Sequence, residues 1–539
     1  MKVLFLYGLD ESLAIEVLSA CLKRAGHETE LLFDPMLFAN STSRTTSPVL
    51  ARLFSFRAQQ LEFVRQQAPD LIAFSVVGAD YAWARTFARQ IRGVSAAPIL
   101  FGGRHPTAVP EVVARLPEVD FVCVGEGDEA IVELADALER GADTTAIPNI
   151  WSVQGGALHA NPPRPLVMDL DSLPWPDKDL FYRYVPAWAQ GYTAQGRRGC
   201  LNACSYCGNN AMRMLYLGEK DFEASSYLRL RSVDALIAEL AGQHRRYGFK
   251  LIRFVDDDFA THPDWLDEFA DKFPRALPGV LYKIFINPHS VTPRTVRALE
   301  RSGCAQVQMG VQSVNHETRR DHLRRGYSQE TLIEAIRLLS ESRMIVYNDI
   351  ILGLPWETEE QQRRTIDFYL DHPIDYVGAY FLQFFPDTEL TQAALREGIL
   401  DAGDARSIVH EPPDRSIIFE NKLTPDWVVS LQRTVANLNF LPPPLFRAIE
   451  RTGPAAEPIH GALSLGFEAY RSMHFWVGSF PERWDAFPHP RLTFELPGLQ
   501  AYSVIKRHTA LRVAQALRLR PRAVKPCDPA RFRRDLQPR

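Results

Sequence analysis

The chain has 539 residues, of which 46% are hydrophobic and 23% charged, and this balance excludes a mainly disordered protein. Its formal net charge of −4 argues against a whole-protein role in binding nucleic acid, and its length predicts more than one domain. No apolar run approaches the roughly 18 residues of a membrane span, and the first apolar stretch is too short for a signal peptide. Seven cysteines, three of them clustered, are typical of a reducing compartment, so we expect a cytoplasmic protein.

Residues 1–150 alternate short apolar runs with amphipathic stretches, which predicts a doubly wound, Rossmann-like parallel sheet. The predicted elements are strands at 3–7, 29–33, 71–77, 98–101 and 121–124 and a helix at 13–25. Ligands of such sheets lie beyond the carboxyl ends of the strands. The candidate ligand-binding residues at these ends are Gly8, Ser75, Gly102, Gly103, His105, Gly125, Glu126 and Gly127. A tight turn explains any single glycine, but glycines at four strand ends favour a ligand site.

The segment 151–190 is rich in proline and predicts a stiff linker. Residues 191–400 alternate again, and six strand-helix units predict a partial (β/α)6 barrel of the TIM type. Its predicted strands are 193–197, 251–254, 282–286, 307–310, 345–351 and 376–381. Residues 401–539 predict a mostly helical cap over the substrate, followed by a basic tail that begins at about residue 506.

Three cysteines, Cys200, Cys204 and Cys207, follow the first predicted strand of the barrel with the spacing C-x3-C-x2-C. Three thiolates in one tight loop can hold an iron-sulfur cubane and leave its fourth iron open to a substrate. A zinc knuckle would need a fourth Cys or His nearby, which the sequence lacks. Three clustered cysteines cannot pair internally, which disfavours a disulfide framework. The trio therefore predicts a metal centre.

The cysteine loop and the segments that follow it resemble the radical S-adenosylmethionine (SAM) superfamily. Segments 310–313, 349–358 and 385–390 resemble the superfamily's later strand ends and occur in the same order. The resemblance implies that the three cysteines hold a four-iron, four-sulfur (4Fe-4S) cluster whose open iron binds SAM. Reductive cleavage of SAM would then give a 5′-deoxyadenosyl radical.

The resemblance also implies contacts with SAM. Gln312 and Ser313 are expected near its ribose and amino group, and Gly353 near its adenine. Asp256 is the first of three consecutive carboxylates, for which a bound ribose or substrate donor and a helix N-cap with surface charge are both open interpretations.

Three residues beside the cysteines complete the expected SAM site: Tyr206, Gly208 and Asn209. Tyr206 precedes the last cysteine, as an aromatic residue often does in the superfamily. Gly208 and Asn209 stand where many members have a G-G-E-like turn that supports the SAM amino group. Amide side chains also offer acceptors, so the groups that hold this amine stay open.

The N-terminal half resembles the cobalamin-binding domain of one large radical SAM subfamily, because residues 102–107 and 124–128 match its G-G-x-H-P-T and V-G-E-G-[DE] segments. The chain lacks the D-x-H-x-x-G motif whose histidine binds cobalt in other cobalamin proteins. The resemblance therefore implies cobalamin as a third cofactor, without identifying a lower cobalt ligand. A role for His105 as a turn cap is equally open.

Together these features predict a methyltransferase that moves a methyl group from methylcobalamin to an unactivated carbon, after the radical has abstracted hydrogen. A cobalamin-dependent cyclase or rearrangement enzyme without methyl transfer is one alternative, and a non-catalytic metal-binding scaffold is another. A methylthiotransferase is disfavoured because Cys21, Cys123, Cys304 and Cys527 form no second cluster. The expected partners are a small-molecule or peptide substrate and an electron donor of the flavodoxin or ferredoxin type, with no nucleic acid.

Overall fold

The computed structural model describes residues 1–8, 11–34, 49, 52, 55–217, 223–410, 424–439, 441 and 443–464. The predicted basic tail and Cys527 lie outside these residues. The chain divides into two compact units, of which the first comprises Met1–Pro186, Gly199–Leu230 and Gln383–Asn421. The second comprises Ala187–Arg198, Arg231–Leu382 and Lys422–Arg539. The domain boundaries expected from the sequence, at residues 150, 190 and 400, stay predictions.

The first unit contains, within its described residues, a seven-stranded sheet with the spatial order β2-β1-β3-β4-β5-β6-β7. Its strands are β1 (Lys2–Gly8), β2 (Glu28–Asp34), β3 (Leu71–Ser75), β4 (Ile99–Gly102), β5 (Phe121–Cys123), β6 (Ile150–Gln154) and β7 (Ala157–Ala160). Strands β1 to β5 are parallel, which confirms the predicted doubly wound sheet. The strand order reverses between β1 and β3, and a crevice for ligands forms at such a reversal.

The structure differs from the expected linker at its start, where β6 and β7 extend the sheet. Both strands are antiparallel to their neighbours, and they are joined by Gly155 and Gly156 with φ of 57° and 83°. Two consecutive glycines with positive φ allow the tight hairpin turn whose twist matches the strands. The Gly-Gly pair is therefore the sequence signal for this hairpin, which the prediction of a linker from proline content missed.

The proline-rich segment that follows is fastened to the helix Leu13–Arg24. The Ser19 hydroxyl and the Lys23 ammonium each donate to Asp177 at 2.6 Å. Next to it, the fully buried Lys178 ammonium lies 2.8 Å from Glu11 and 2.7 Å from Glu16. These ion pairs fix the segment on the first unit despite its lack of long regular elements.

The second unit contains, in the part that the structure describes, a six-stranded parallel sheet whose spatial order follows the chain. Its strands are β8 (Gly191–Ala194), β9 (Leu251–Phe254), β10 (Leu281–Ile286), β11 (Cys304–Gln312), β12 (Ile345–Leu352) and β13 (Tyr376–Phe381). This topology confirms the predicted partial barrel. The edge strand β13 is covered by Asn439, whose side chain accepts from Val377 N at 2.7 Å and donates to Val377 O at 2.9 Å.

Helices surround both sheets, and many begin at a side chain that accepts a backbone N–H. Such caps are Ser12, Ser232, Thr292, Ser328, Thr358 and Thr388. The helices of the first unit are Leu13–Arg24, Arg57–Gln67, Tyr81–Ile91, Arg104–Ala108, Pro110–Ala114, Ala130–Arg140, Asp179–Tyr182, Gly208–Tyr216, Glu389–Arg396 and Ala402–His410. Those of the second are Val233–Tyr247, Pro263–Ala276, Pro293–Ser302, Gln329–Glu341, Glu359–Asp371, Asp426–Leu438 and Pro443–Glu450.

Each sheet has its own buried core. Phe74 and Phe101, on neighbouring strands of the first sheet, are buried with ring centroids 4.9 Å apart. In the second unit, Phe254, Phe269 and Tyr282 form the centre of an aromatic cluster between the sheet and the helix Pro263–Ala276. Among the described helices, none combines the length and apolarity that crossing a bilayer requires.

Candidate active site

The three clustered cysteines lie in the loop that leads into the helix Gly208–Tyr216 of the first unit. None of the three forms a disulfide; Cys204 is buried, whereas Cys200 and Cys207 are partly exposed. The loop turns tightly, because Cys207 N donates to Cys204 O at 3.2 Å. Cys207 occupies the N-cap position of the helix, where the helix dipole favours a thiolate.

Neighbouring segments of the first unit fix this loop. Gly199 has φ of 84°, and a Cβ added there would lie 2.0 Å from the carbonyl oxygen of Tyr227. On the other side, Leu390 N donates to Ser205 O at 2.9 Å. The segment 385–390, which the resemblance singled out, therefore supports the cysteine loop directly.

The loop and its helix also contact the carboxyl edge of the first sheet. The Arg104 guanidinium, which follows β4, donates from Nη2 to Asn209 Oδ1 at 2.5 Å. After β5, Glu126 N donates to the Tyr216 hydroxyl at 3.1 Å, and the Glu126 carboxylate accepts from Arg229 at 2.6 Å and 3.0 Å. The cysteine-bearing segment is thus bonded to two strand ends of the predicted cobalamin-binding sheet.

Other predicted residues lie at the same sheet edge. Gly8, Ser75 and Gly102 end β1, β3 and β4, which are adjacent strands. His105 is buried, with its ring centroid 4.2 Å from that of Tyr81. Burial lowers the pKa of His105 to about 4, so its imidazole is neutral near pH 7. Its Nε2 atom has no hydrogen-bond partner among the described residues.

The remaining predicted residues of this edge are engaged within the protein. Gly103 and Gly125 have φ of 102° and 85°, and an added Cβ would lie 2.6 Å from Val76 O and 2.4 Å from the Tyr216 hydroxyl, respectively. A Cβ on Gly127 would meet Cys123 Sγ at 3.3 Å. Chain geometry alone thus accounts for these three glycines, and their contact with a ligand stays a prediction.

The predicted SAM contacts of the second unit lie at the carboxyl ends of adjacent strands. Gln312 ends β11 with an unusual φ of 70° for a residue other than glycine, and Gly353 follows β12 with φ of 80°. The Ser313 hydroxyl donates to the buried Glu357 at 2.5 Å. A non-glycine residue in the left-handed region costs of order 1 kcal/mol and is often found at functional sites. The backbone at Gln312 therefore supports the prediction of a ligand site there.

Asp256 is fully buried and accepts from Gly196 N at 2.9 Å, with Arg197 Nε 3.6 Å away. Burial raises the pKa of Asp256 to about 6, against the opposing effect of Arg197. The third carboxylate of the run, Asp258, accepts from Asn287 at 3.1 Å and Ser290 at 2.6 Å. Protein donors therefore bind two of the three carboxylates, and a contact between Asp256 and SAM stays a prediction.

Two family models match the chain in succession. The model of the B12 binding domain matches residues 7–135, and that of the Radical SAM superfamily matches residues 197–369. The first match runs from the end of β1 through β5, and the second begins just before Cys200. The chain belongs to the cobalamin-binding radical SAM family.

The relatives of this radical SAM protein include a methyltransferase and a cyclase. It is 25% identical over 343 residues to an uncharacterized methyltransferase of Pyrococcus horikoshii, a match that covers 63% of this chain and 72% of that protein. It is 24% identical over 342 residues to an anaerobic magnesium-protoporphyrin IX monomethyl ester cyclase of Synechocystis sp.. That match covers 62% of this chain but only 57% of the cyclase.

A solved structure with a similar fold is that of TsrM, a radical S-adenosylmethionine methyltransferase from Kitasatospora setae, with cobalamin and a [4Fe-4S] cluster bound. The TM-score is 0.58, and the match covers 74% of this chain and 78% of TsrM. The identity is 18%, so the likeness concerns the fold alone.

A cobalamin-binding radical SAM protein uses a 4Fe-4S cluster, SAM and cobalamin, and the described residues fit these groups. Three cysteines in one loop, none of them in a disulfide, match the ligands of a cubane with an open iron. For a corrinoid, the short helix after β4 contains His105, whose buried Nε2 atom has no hydrogen-bond partner among the described residues. For SAM, Gln312 and Ser313 offer polar side chains at one edge of the second sheet.

Sequence analysis missed Arg104, Tyr216 and Arg229, which join the cysteine segment to the first sheet. It also missed a polar cluster on one face of the second sheet. Its members are Lys283, Gln308, Tyr347, Asp349 and Tyr380. These residues alternate with buried apolar ones along β10 to β13, and this period of two was the available signal.

Proposed function

We propose that the protein is a cobalamin-dependent radical SAM methyltransferase that acts on an unactivated carbon. The observation that carries the proposal is the pair of links, Arg104 to Asn209 and Glu126 to Arg229, between the edge of the B12-binding sheet and the cysteine segment. A reaction that uses both cofactors in each turnover needs their binding segments held together. Methyl transfer is such a reaction, and the name of the Pyrococcus relative agrees with it.

When bound, the cluster with SAM supplies a 5′-deoxyadenosyl radical, and cobalamin supplies a carrier for a methyl group. The chain contributes the three thiolates of Cys200, Cys204 and Cys207 and the turn that aims them. Gly199, Ser205 and the segment 385–390 hold that turn. Fixed geometry of this kind raises the effective concentration of the reacting groups, and exclusion of water protects a radical from side reactions.

The overall reaction balances with an external electron donor. One substrate C–H bond, two molecules of SAM and two electrons give the methylated carbon, S-adenosylhomocysteine, methionine and 5′-deoxyadenosine. The abstracted hydrogen leaves in 5′-deoxyadenosine, and the methyl group comes from the SAM that becomes S-adenosylhomocysteine. A radical SAM enzyme therefore requires both a substrate and a donor, for which a flavodoxin or ferredoxin type is our proposal.

The two products of SAM test the proposal. The protein, purified without oxygen and reconstituted with iron, sulfide and hydroxocobalamin, is reduced and given SAM without substrate. We expect S-adenosylhomocysteine up to about one equivalent per bound cobalamin, together with slow release of 5′-deoxyadenosine. Cys200→Ala should lose the cluster and the 5′-deoxyadenosine, whereas Cys21→Ala, which alters a buried thiol of the first helix, should keep both.

A cyclase without methyl transfer is the second candidate, because the Synechocystis relative carries that name. A cyclase would form 5′-deoxyadenosine without S-adenosylhomocysteine, and its product would carry no methyl group from labelled SAM. If a preparation with full occupancy of cobalamin and cluster forms no S-adenosylhomocysteine, the methyl transfer proposal is wrong and cyclisation is favoured. A preparation that binds neither group would contradict both candidates.

A further inference from the structure

Arg104 connects the two cofactor-binding segments of the first unit. It is the first residue of the short helix Arg104–Ala108 that follows β4, and its Nη2 atom donates to Asn209 Oδ1 at 2.5 Å. Its Nη1 atom also passes close to Gly208, where an added Cβ would lie only 2.5 Å away. One guanidinium therefore contacts both residues that directly follow the last cluster cysteine.

The charge of Arg104 also acts on a group of the segment that supports the cysteine loop. Burial raises the pKa of Asp387, and the Arg104 charge is among the effects that oppose this shift. Asp387 belongs to the segment 385–390 that bonds to Ser205. Arg104 thus acts on this supporting segment by its charge and on Asn209 by its hydrogen bond.

We propose that Arg104 is a positioning residue that couples cobalamin binding to the order of the cluster loop. This inference rests on the proposed function, in which a corrinoid occupies the carboxyl edge of the first sheet. Arg104 begins the short helix Arg104–Ala108, which follows β4 and also contains His105, whose Nε2 atom has no hydrogen-bond partner among the described residues. A ligand that orders the start of this helix also orders the guanidinium, and the loop then loses less entropy when it receives the cluster.

Coupling of this kind is reciprocal, so the cluster must strengthen cobalamin binding by the same factor. Arg104 is exposed, and a single exposed hydrogen bond contributes little to folding, so the effect should appear in binding rather than in stability. We expect cobalamin to bind on the order of fivefold more tightly to the cluster-loaded protein than to the apoprotein.

Titration of hydroxocobalamin into both forms of the full chain, without oxygen, tests the coupling. The ratio of the two dissociation constants is measured for the wild type, Arg104→Ala, Asn209→Ala and the double variant. We expect the ratio to fall to about one in each of the three variants, with no further loss in the double variant. Iron per chain should fall in the single variants under dilute conditions, since the loop is less ordered.

Arg115→Ala is the matched control, because Arg115 is an exposed arginine of the same unit that pairs only with Glu111 in the contacts described for it. It should keep the wild-type ratio. The inference is wrong if Arg104→Ala keeps the wild-type ratio of dissociation constants. It is also wrong if the wild type binds cobalamin equally tightly with and without the cluster. A loss of affinity that is equal in both forms also overturns it, since that result marks a purely structural residue.

These results separate the inference from the proposed function. If the wild type binds cobalamin and the cluster but shows no coupling, only the role of Arg104 is wrong. If the wild type binds no cobalamin, the proposed function fails first. Melting temperatures of all variants, together with Asn209→Ala as an independent partner, keep the test valid if one variant folds poorly.

Discussion

Gln308 donates to both carboxylate oxygens of Asp349, at 3.0 Å and 2.9 Å, across neighbouring strands of the second sheet. Tyr380 also bonds to Asp349, and its hydroxyl lies 2.6 Å from that of Tyr347. These are neutral donors, and they stabilise the carboxylate less than a paired cation would. Burial accordingly raises the pKa of Asp349 to about 7, while Gln308 and Tyr380 oppose the shift.

This pKa predicts that Asp349 lowers stability as the pH rises. A carboxyl group whose folded-state pKa is raised is more protonated in the folded state, so its contribution is complete below about pH 4 and is lost up to about pH 7. The largest slope is about 1.4 kcal/mol per pH unit. Asp349→Asn should remove that slope, which urea unfolding at pH 5 and pH 6.5 can measure.

Lys283 is expected to change stability with pH in the opposite direction, above the pH range in which Asp349 acts. Burial lowers its pKa to about 7, with a further contribution from Arg253, so its contribution to stability grows as the pH rises from about 7 towards 10. Lys283→Met should therefore remove the pH dependence above neutrality, and it should also raise the pKa of Asp349 further, because the Lys283 charge lowers that pKa. An Asp349→Asn protein whose unfolding keeps the wild-type slope between pH 5 and 6.5 would contradict the assignment.

Gly199 is predicted to be essential for the cluster loop. A Cβ there would lie 2.0 Å from the backbone oxygen of Tyr227, and φ is 84°. Gly199→Ala should therefore destabilise the first unit by about 2–5 kcal/mol, from steric overlap and backbone strain together, and most of the iron should be lost. Iron per chain and the urea midpoint measure the two effects.

Gly248→Ala is the matched control for this substitution. Gly248 also has a positive φ, 65°, but apart from its chain neighbours no atom of the described residues lies within 4 Å of an added Cβ. Gly248→Ala should lower the free energy of unfolding by about 1 kcal/mol, through backbone conformation alone, and leave the iron content unchanged. Equal iron loss in both variants would mean that iron is lost through general destabilisation of the protein rather than through the contact with Tyr227.

Strand prediction from sequence succeeded for short, mostly apolar runs. Strands β9 and β13 have the predicted bounds, 251–254 and 376–381, because a strand buried in a parallel sheet is largely apolar, although Arg253 interrupts β9. The hairpin of β6 and β7 was missed because its signal is two glycines within a segment dominated by proline. The local sequence pattern thus predicted individual strands but gave less information on how the strands pair.

The site was predictable only in part for a similar reason. The cysteine spacing is local, so the metal ligands could be named from sequence. Arg104 and Asn209 are 105 residues apart, and Glu126 and Arg229 are 103 apart, so no local pattern relates them. Glu126 was predicted as a ligand contact, whereas the structure pairs its carboxylate with Arg229.

Lys178 is predicted to be the most sensitive residue of the proline-rich segment. It is fully buried with Glu11 and Glu16, so Lys178→Ala leaves buried carboxylates without their cation. The expected loss is about 3–5 kcal/mol, which a urea titration followed by fluorescence can measure. Lys23→Ala is the control, since the Lys23 side chain is 47% exposed beside Asp177 and its loss should cost less than about 1 kcal/mol. Similar midpoints for the two variants would show that the buried pairs contribute no more than a surface pair.

Gln312 is predicted to contact SAM, and a comparison of two glutamines tests it. Gln312 has φ of 70° at the end of β11, whereas Gln361 only closes the capping box of Thr358, at 2.9 Å and 3.2 Å. Gln312→Ala should weaken SAM binding about ten- to hundredfold, because a hydrogen bond to a charged ligand contributes about 1.5–3 kcal/mol. Gln361→Ala should reduce stability by about 1 kcal/mol and leave SAM affinity unchanged. Equilibrium dialysis of labelled SAM against the cluster-loaded proteins measures both affinities. Unchanged binding in Gln312→Ala would remove this residue from the SAM site, and its left-handed backbone would then reflect only the bulge in the pairing of β11 with β12 between Gly310 and Gln312.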